Sequence, residues 1–413
     1  MSITISHPTG ILKASVNLPS SKSESNRLLV LQALSAGAVH AANLSEANDT
    51  KLMLSALDSK DIAIDVQDAG TAMRFLTAYY CAAGQHKILT GTARMQQRPI
   101  GILAAALRDI GFDVRYVKEE GFVPLEIVPV DISILKHEVH IAGHVSSQYI
   151  SALLLIAHTL PGGLTIYFMS ELSSRPYIEL TLAMLAKAGI KYKWADKSIS
   201  IPNQIPDSVT ITAGADWSAA GYWYSMAALS VESKISLSKL TMDSHQGDKQ
   251  IAQWAENFGV NTLESREGIS LVKSRFAHSE NPVNSDLLFD FTHYPDLAQT
   301  TIVLCAAKGL KATFSGLESL RIKEADRVAA LQNELLKFGV ALEDTGEGNF
   351  QLQGTFAMSH QNIQTYNDHR MAMAFAPLAL LGQITIEGPE VVAKSYPGFW
   401  KEMEKAGFNT RVI

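Results

Sequence analysis

Leu107-Arg108-Asp109-Ile110-Gly111-Phe112 reads as the end of a helix closed by a glycine that can take positive φ, with a strand candidate beyond it. The same punctuation recurs in Leu185-Ala186-Lys187-Ala188-Gly189-Ile190, Ala255-Glu256-Asn257-Phe258-Gly259-Val260, Leu336-Lys337-Phe338-Gly339-Val340 and Glu404-Lys405-Ala406-Gly407-Phe408. The closing glycines lie about 70 to 80 positions apart, and all but the last lead into a possible strand. Internal repetition of an α/β unit is the economical reading.

The strand candidates between these helices are short and rich in Val and Ile, as in Val123-Pro124-Leu125-Glu126-Ile127, Leu164-Thr165-Ile166-Tyr167-Phe168 and Ile384-Thr385-Ile386. Alternation of this kind suits sheets with one face against helices and the other polar, not a doubly wound sheet buried on both faces. There is no Gly-x-Gly-x-x-Gly after a first strand and no Gly-x-x-x-x-Gly-Lys-[Ser/Thr], so dinucleotide and P-loop chemistry have no support.

A chain of 413 residues, 47% hydrophobic and 18% charged, predicts two domains of roughly 200 residues each. The polar stretch from Lys193 to Ala215, with Pro202, Pro206 and Gly214, is the best candidate crossing between them. A net charge of -6 gives no general attraction to nucleic acid or an anionic membrane, so partners are expected to be metabolites. The apolar stretch Tyr149 to Leu160 is too short to span a bilayer and reads as a core helix. Cys81 and Cys305, both in apolar runs, read as buried free thiols of a reducing compartment, and the N-terminus carries no visible secretion signal. A soluble cytoplasmic protein is the expectation.

Polar chemistry concentrates in a few runs. In Ser20-Ser21-Lys22-Ser23-Glu24-Ser25-Asn26-Arg27, Ser21 or Ser23 is placed to cap a helix whose free N–H groups, beside Lys22, suit a phosphate; an ordinary solvated helix start is the alternative. Gly70-Thr71, followed by Arg74, resembles a second such start, with Gly70 letting a ligand approach the backbone. Ser146-Ser147-Gln148 stands just before an apolar helix, either as a cap or as contacts to a polyhydroxylated ligand. Arg321 to Arg327 places Lys323 and Arg327 at i and i+4 on one helix face, with Glu324 offset by one position. Asn367-Asp368-His369-Arg370 supplies a cap and a guanidinium able to grip a carboxylate or phosphate. Lys394 lies between two Gly/Pro turns, reaching either a cleft or water. No paired Cys or His-x-x-x-His spacing suggests a metal, and no nucleophile elbow is present. What remains is fixed positive charge for small anionic substrates, with acids beside it to move protons.

In their order along the chain these motifs resemble the 5-enolpyruvylshikimate-3-phosphate synthase family of bacterial enolpyruvyl transferases. Diagnostic are Ser21-Lys22-Ser23 with Ser25-Asn26-Arg27, Ala69-Gly70-Thr71-Ala72-Met73-Arg74, Leu89-Thr90-Gly91 with Arg94-Met95 and Arg98-Pro99-Ile100, Lys323-Glu324 with Asp326-Arg327, and Asn367-Asp368-His369-Arg370-Met371-Ala372-Met373. The resemblance implies an α/β fold, a two-domain inside-out α/β barrel with each domain built from three β-α-β-α-β-β units. One domain would cover 16–214 and the other 1–15 with 215–413, the active site lying between them. The implied reaction moves the enolpyruvyl group of phosphoenolpyruvate to the 5-hydroxyl of shikimate 3-phosphate. It implies no cofactor, no metal and a monomer.

By the same resemblance, shikimate 3-phosphate would meet Lys22, Ser23, Arg27, Ser146, Ser147, Gln148, Ser174, Arg175, Tyr177, Asp296, Ser319 and Lys323. Phosphoenolpyruvate would meet Lys22, Gly70, Arg98, Gln148, Glu324, Arg327, His369, Arg370 and Lys394. Asp296 would be the base at the 5-hydroxyl, and Glu324, assisted by Lys22, the proton donor and acceptor at the methylene carbon. Departures are Phe75 where the family has Pro, Arg175 for Lys, Asp68 and Ser319 for Asn, and Ser20 for Gly. Two alternatives are a related transferase acting on a UDP-linked amino sugar and a noncatalytic anion-binding protein. The first typically uses a loop cysteine, and extra carboxylates at 296 and 324 would weaken the second.

Overall fold

The computed structural model describes residues 1–144, 146–274 and 286–413. The chain forms two compact units: a terminal one, Met1–Pro19 with Gly214–Ile413, and an inserted one, Ser20–Ala213. Each has its own apolar core. The backbone N–H of Asp216 donates to the Pro19 carbonyl at 3.0 Å, so the chain leaves the terminal unit and returns to it at neighbouring points.

Among the described residues, four four-stranded sheets share one plan. In the inserted unit, Ala63–Asp65 and Lys87–Thr90 pair in parallel, Leu125–Val128 adds antiparallel to the second of these, and Asp113–Tyr116 closes the row. Glu138–Ile141, Leu164–Phe168, Ser198–Ile201 and Lys193–Ala195 repeat that order. So do two sheets of the terminal unit, one starting Ile11–Val16 beside Glu232–Ser238, the other Leu287–Asp290 beside Ala312–Ser315. The strands form open rows among these residues, and none closes on itself.

Each parallel pair needs a helical crossover. Gly70–Ala82, Ser147–Ala157 and Ala298–Ala307 supply it in three of the four sheets, and Gly101–Ile110, Arg175–Lys187 and Arg327–Leu336 follow their second strands; in the fourth the connection holds the whole inserted unit and Trp217–Leu229. All five closing glycines have positive φ, from 76° to 118°. The crossing between the units falls at Ala213–Gly214, inside the expected stretch from Lys193 to Ala215, which also holds three strands. The polarity of that stretch comes from strands whose residues alternate between core and solvent, as in Ser198–Ile201.

This plan fixes where chemistry can sit. The loop leaving the carboxyl end of each parallel strand becomes the N-terminus of the next helix, where free N–H groups collect. Gly70, Arg98, Ser146 and Arg175 all lie in such loops or on the first turn after them, and so do Asp296, Glu324 and Arg327. No helix among the described residues is long and apolar enough to cross a membrane. Cys81 and Cys305 are buried free thiols, pushed up by that burial.

Candidate active site

Within the inserted unit, four helix starts converge. Ser21 caps Lys22–Leu34, its hydroxyl accepting from the Glu24 N–H at 3.4 Å. Lys22 Nζ donates to Asp49 Oδ2 at 3.1 Å, and the Asp49 side chain is only 5% exposed. Nothing local in Asn48-Asp49-Thr50 signals this partner, which only the fold brings near.

Arg27 is buried and ties its own helix to two others. Its Nε donates to Thr181 Oγ1 at 2.8 Å, and its other nitrogens to Ser23 O at 2.8 Å, Tyr177 O at 3.2 Å and Ser151 Oγ at 3.4 Å. Burial lowers its pKa to about 10, with Tyr177 and Glu24 acting in the opposite direction. Phe75 lies under the guanidinium, 5.3 Å from ring centroid to Cζ. The Phe departure therefore packs beneath an expected ligand inside a regular helix.

Gly70 opens the helix Gly70–Ala82 against Arg98. A Cβ there would stand 2.6 to 2.9 Å from the Arg98 guanidinium, closer than real contacts allow. Arg74 steadies the same loop, donating to Pro99 O at 2.6 Å, as does the Tyr149 hydroxyl at 2.6 Å. Gln148 Nε2 reaches Thr71 Oγ1 at 3.2 Å, joining the second and third helix starts, and Ser146 caps the third by accepting from the Gln148 N–H at 3.3 Å. Ser147 is buried on its first turn. Ser174, in left-handed backbone, precedes Arg175, whose Nε donates to Glu179 Oε1 at 2.9 Å while the guanidinium covers the Trp194 ring. Arg175 is thus engaged at the surface, unlike the buried Arg27, Arg98, Arg327 and Arg370.

The terminal unit holds a second cluster, arranged around one guanidinium. Arg327, 2% exposed, donates from Nε to Asp368 Oδ2 at 2.7 Å; its NH2 lies 3.0 Å from Glu324 Oε2 and its NH1 3.5 Å from Asp296 Oδ1. Arg370 completes the ring, with NH2 2.7 Å from Asp296 Oδ2 and NH1 donating to the Asp296 carbonyl at 2.9 Å and the Tyr222 hydroxyl at 3.4 Å. Lys394 Nζ stands 3.9 Å from Glu324 Oε1. Burial alone would lower the Arg327 pKa, but Asp368, Glu324 and Asp296 overcome it and the net direction is upward. Tyr222 is pushed up to about 12 by burial, so the hydroxyl that accepts from Arg370 stays neutral.

Local backbone explains the placement and corrects one expectation. Lys323 and Arg327 do not share a helix face. The 3-10 turn Glu318–Ile322 ends at an extended Lys323, and the helix begins at Arg327 with Asp326 as cap, accepting from Ala329 N–H at 3.0 Å. An Asp three positions before a helical N–H competes well enough to set that start. Asp368, rather than Asn367, caps His369–Phe375, and the same carboxylate grips Arg327. His369 is buried, its Nδ1 3.6 Å from Asp368 Oδ1. Ser319 is exposed and Lys323 half-buried, both before the helix. Asp368 and Tyr222 escaped the sequence reading as site residues because one looked like a cap and the other sits in a helix apolar all round. Among the described residues no group of three or more His, Cys, Asp or Glu side chains is set to hold a metal ion.

The model of the EPSP synthase family, 3-phosphoshikimate 1-carboxyvinyltransferase, matches residues 7–59 and 57–403. A 3-phosphoshikimate 1-carboxyvinyltransferase of Bacteroides fragilis is 44% identical over 416 residues, covering 100% of this chain and 99% of that one. One from Haemophilus influenzae is 34% identical, covering 96% and 97%. In fold, the chain resembles the EPSP synthase of Acinetobacter baumannii with a TM-score of 0.74 at 21% identity, over 100% of both chains. The family model and the two curated relatives each span most of the sequence, and on that ground the chain belongs to the EPSP synthase family.

Proposed function

We infer that this protein transfers the enolpyruvyl group of phosphoenolpyruvate to the 5-hydroxyl of shikimate 3-phosphate, releasing phosphate, in aromatic amino-acid biosynthesis. The observation that carries the chemistry is the Arg327 guanidinium, which faces Asp296 with one nitrogen and Glu324 with another, at 3.5 and 3.0 Å. One planar, permanently charged group thereby sets the spacing of two acids.

In the mechanism, the 5-hydroxyl oxygen bonds to C2 of phosphoenolpyruvate and its proton passes to Asp296. The methylene carbon takes a proton from Glu324, giving a tetrahedral ketal phosphate. The C2–O bond to phosphate then breaks, phosphate leaves with the electron pair and takes up the proton that Asp296 had accepted, and the new methyl group returns a proton to Glu324, restoring the double bond and both starting carboxyl states. Lys22, Arg98, Arg327, Arg370, His369 and Lys394 would hold the carboxylate and phosphate of phosphoenolpyruvate, with Gly70 and Gln148 beside them. Ser146, Ser147, Ser174 and Arg175 would hold the shikimate phosphate, and Ser23, Arg27, Tyr177, Ser319 and Lys323 would contact the rest of that substrate. For Arg175 this requires exchange of its Glu179 partner. Arg27 would contribute mainly by fixing three helix starts, since four of its hydrogen bonds go to the protein.

The same reading covers the architecture in finer form. The strand order common to the four-stranded sheets, two in each unit, supports a β-α-β-α-β-β repeat; three such repeats to a unit in an inside-out arrangement is the finer proposal that the family resemblance adds.

Mass-resolved product formation from the two substrates, alongside phosphate release, tests the reaction. Stoichiometric enolpyruvyl product is expected. In Glu324→Gln and Asp296→Asn, turnover should fall on the order of 100-fold or more while substrate binding by calorimetry changes only a few-fold. Near-normal turnover in either variant would remove that residue from its role.

A further inference from the structure

Tyr366 and Asn367, immediately before the Asp368-His369-Arg370 run, both sit in left-handed backbone, with φ of 54° and 56°. Asn tolerates that region; Tyr rarely adopts it, and two in succession without glycine need outside support. The support comes from the far end of the helix that begins with Arg327. Glu334, 0% exposed, accepts from the Gln364 N–H at 3.1 Å and from the Tyr366 hydroxyl at 2.8 Å. Lys337 donates to Glu334 Oε2 at 2.7 Å and to the Asn362 carbonyl at 2.8 Å.

Arg327 and Glu334 are seven residues apart and therefore lie on one helix face about two turns apart, roughly 10 Å along the axis. Arg327 grips Asp368 and Glu334 grips Gln364 and Tyr366. One helix face thus holds the 362–368 segment at two points, and the strained pair lies between them. The Asp368 N–H donates to the Thr365 carbonyl at 2.8 Å, closing the turn.

We propose that Glu334 and Tyr366 are positioning residues, a clamp whose tension on the Tyr366-Asn367 turn sets the angle at which Asp368 and Arg370 meet Arg327 and Asp296. Neither touches a reacting atom. The assignment rests on the transfer reaction inferred above, because the groups it positions are those assigned to phosphoenolpyruvate and to proton transfer.

Tyr366→Phe removes one hydroxyl and leaves the ring; Glu334→Gln keeps an acceptor but not the charge. Each should lower kcat/KM for phosphoenolpyruvate about 10-fold, in line with losses on the order of 100-fold for misplacements of about 1 Å. KM for shikimate 3-phosphate should stay within about twofold, and the double variant should lose less than the two single losses combined, because both weaken the same Glu334–Tyr366 contact. The Nε–H resonances of Arg327 and Arg370, identified by Arg→Lys variants, should shift in Tyr366→Phe. Unchanged kcat/KM with a lowered Tm, or additive losses with unmoved resonances, would reduce the clamp to a purely structural contact and overturn the proposal. If the wild-type chain forms no product, the reaction fails, and the arginine resonances still decide the clamp: shifted in Tyr366→Phe they support it, unmoved they overturn it.

Discussion

At the residue scale, the constraint that bears on the candidate site is Gly70 against Arg98. Any Cβ at 70 would drive the guanidinium from a position 2.6 to 2.9 Å away, and the side chain can yield because its end is flexible. Gly70→Ala should therefore fold normally yet misplace an anion ligand. The expected result is a KM for phosphoenolpyruvate raised about tenfold or more, with Tm shifted by only a few degrees. An unchanged KM would mean that Arg98 does not meet that substrate. The sequence reading found both residues, but as separate motifs 28 positions apart; it had no means of seeing that one is the floor under the other. Asp49 and Asp368 show the same limit in sharper form. Without a family motif to name it, as one named Asp296, a carboxylate stands out as a site residue only when its partner is nearby in the chain, and Lys22 and Arg327 are not.

At the scale of elements, helix ends carry the function, and their stability is open to test. His158 closes the helix Ser147–Ala157, whose first turn bears Ser147 and Gln148. Its ring is 1% exposed, and burial lowers its pKa to about 4, with the Leu155 carbonyl offsetting only part. Between pH 4 and 6.5 the unfolded chain holds more protons at this site than the folded one, so stability rises with pH across that window. It is full above pH 6.5 and lost as pH falls toward 4, by on the order of 3 kcal/mol from this group. Urea unfolding at pH 7 and pH 4.5 should show a smaller loss in His158→Phe than in the wild type. Equal losses would mean that other groups govern acid unfolding. The closing glycines were legible because positive φ leaves a compositional mark. The start of the Arg327 helix was misread because a charge pattern at i and i+4 fits a helix equally well whether it begins at Lys323 or at Arg327.

At the scale of the whole molecule, the inserted unit has both its ends at one place and a core built from its own residues. Strand Val209–Thr212 pairs in parallel with Val39–Ala42, tying the last segment of that unit to its first. A chain comprising residues 20–213 alone should accordingly show a cooperative thermal transition and native-like circular dichroism. A non-cooperative melt with exposed apolar surface would show that the core depends on the rest of the protein.

The sequence by itself determined the family, the repeated α/β plan and most of the charged residues, because periodic apolar faces, helix-closing glycines and short motif runs are local properties of the chain. Only the tertiary structure decided which acid meets which base. The pairing of Lys22 with Asp49, the grip of Arg27 on two helices besides its own, and the meeting of Asp296, Glu324 and Asp368 at one Arg327 guanidinium join residues as many as 154 positions apart. Coulombic and hydrogen-bond energies depend on distance in space, and at such separations the order of residues along the chain carries no record of it.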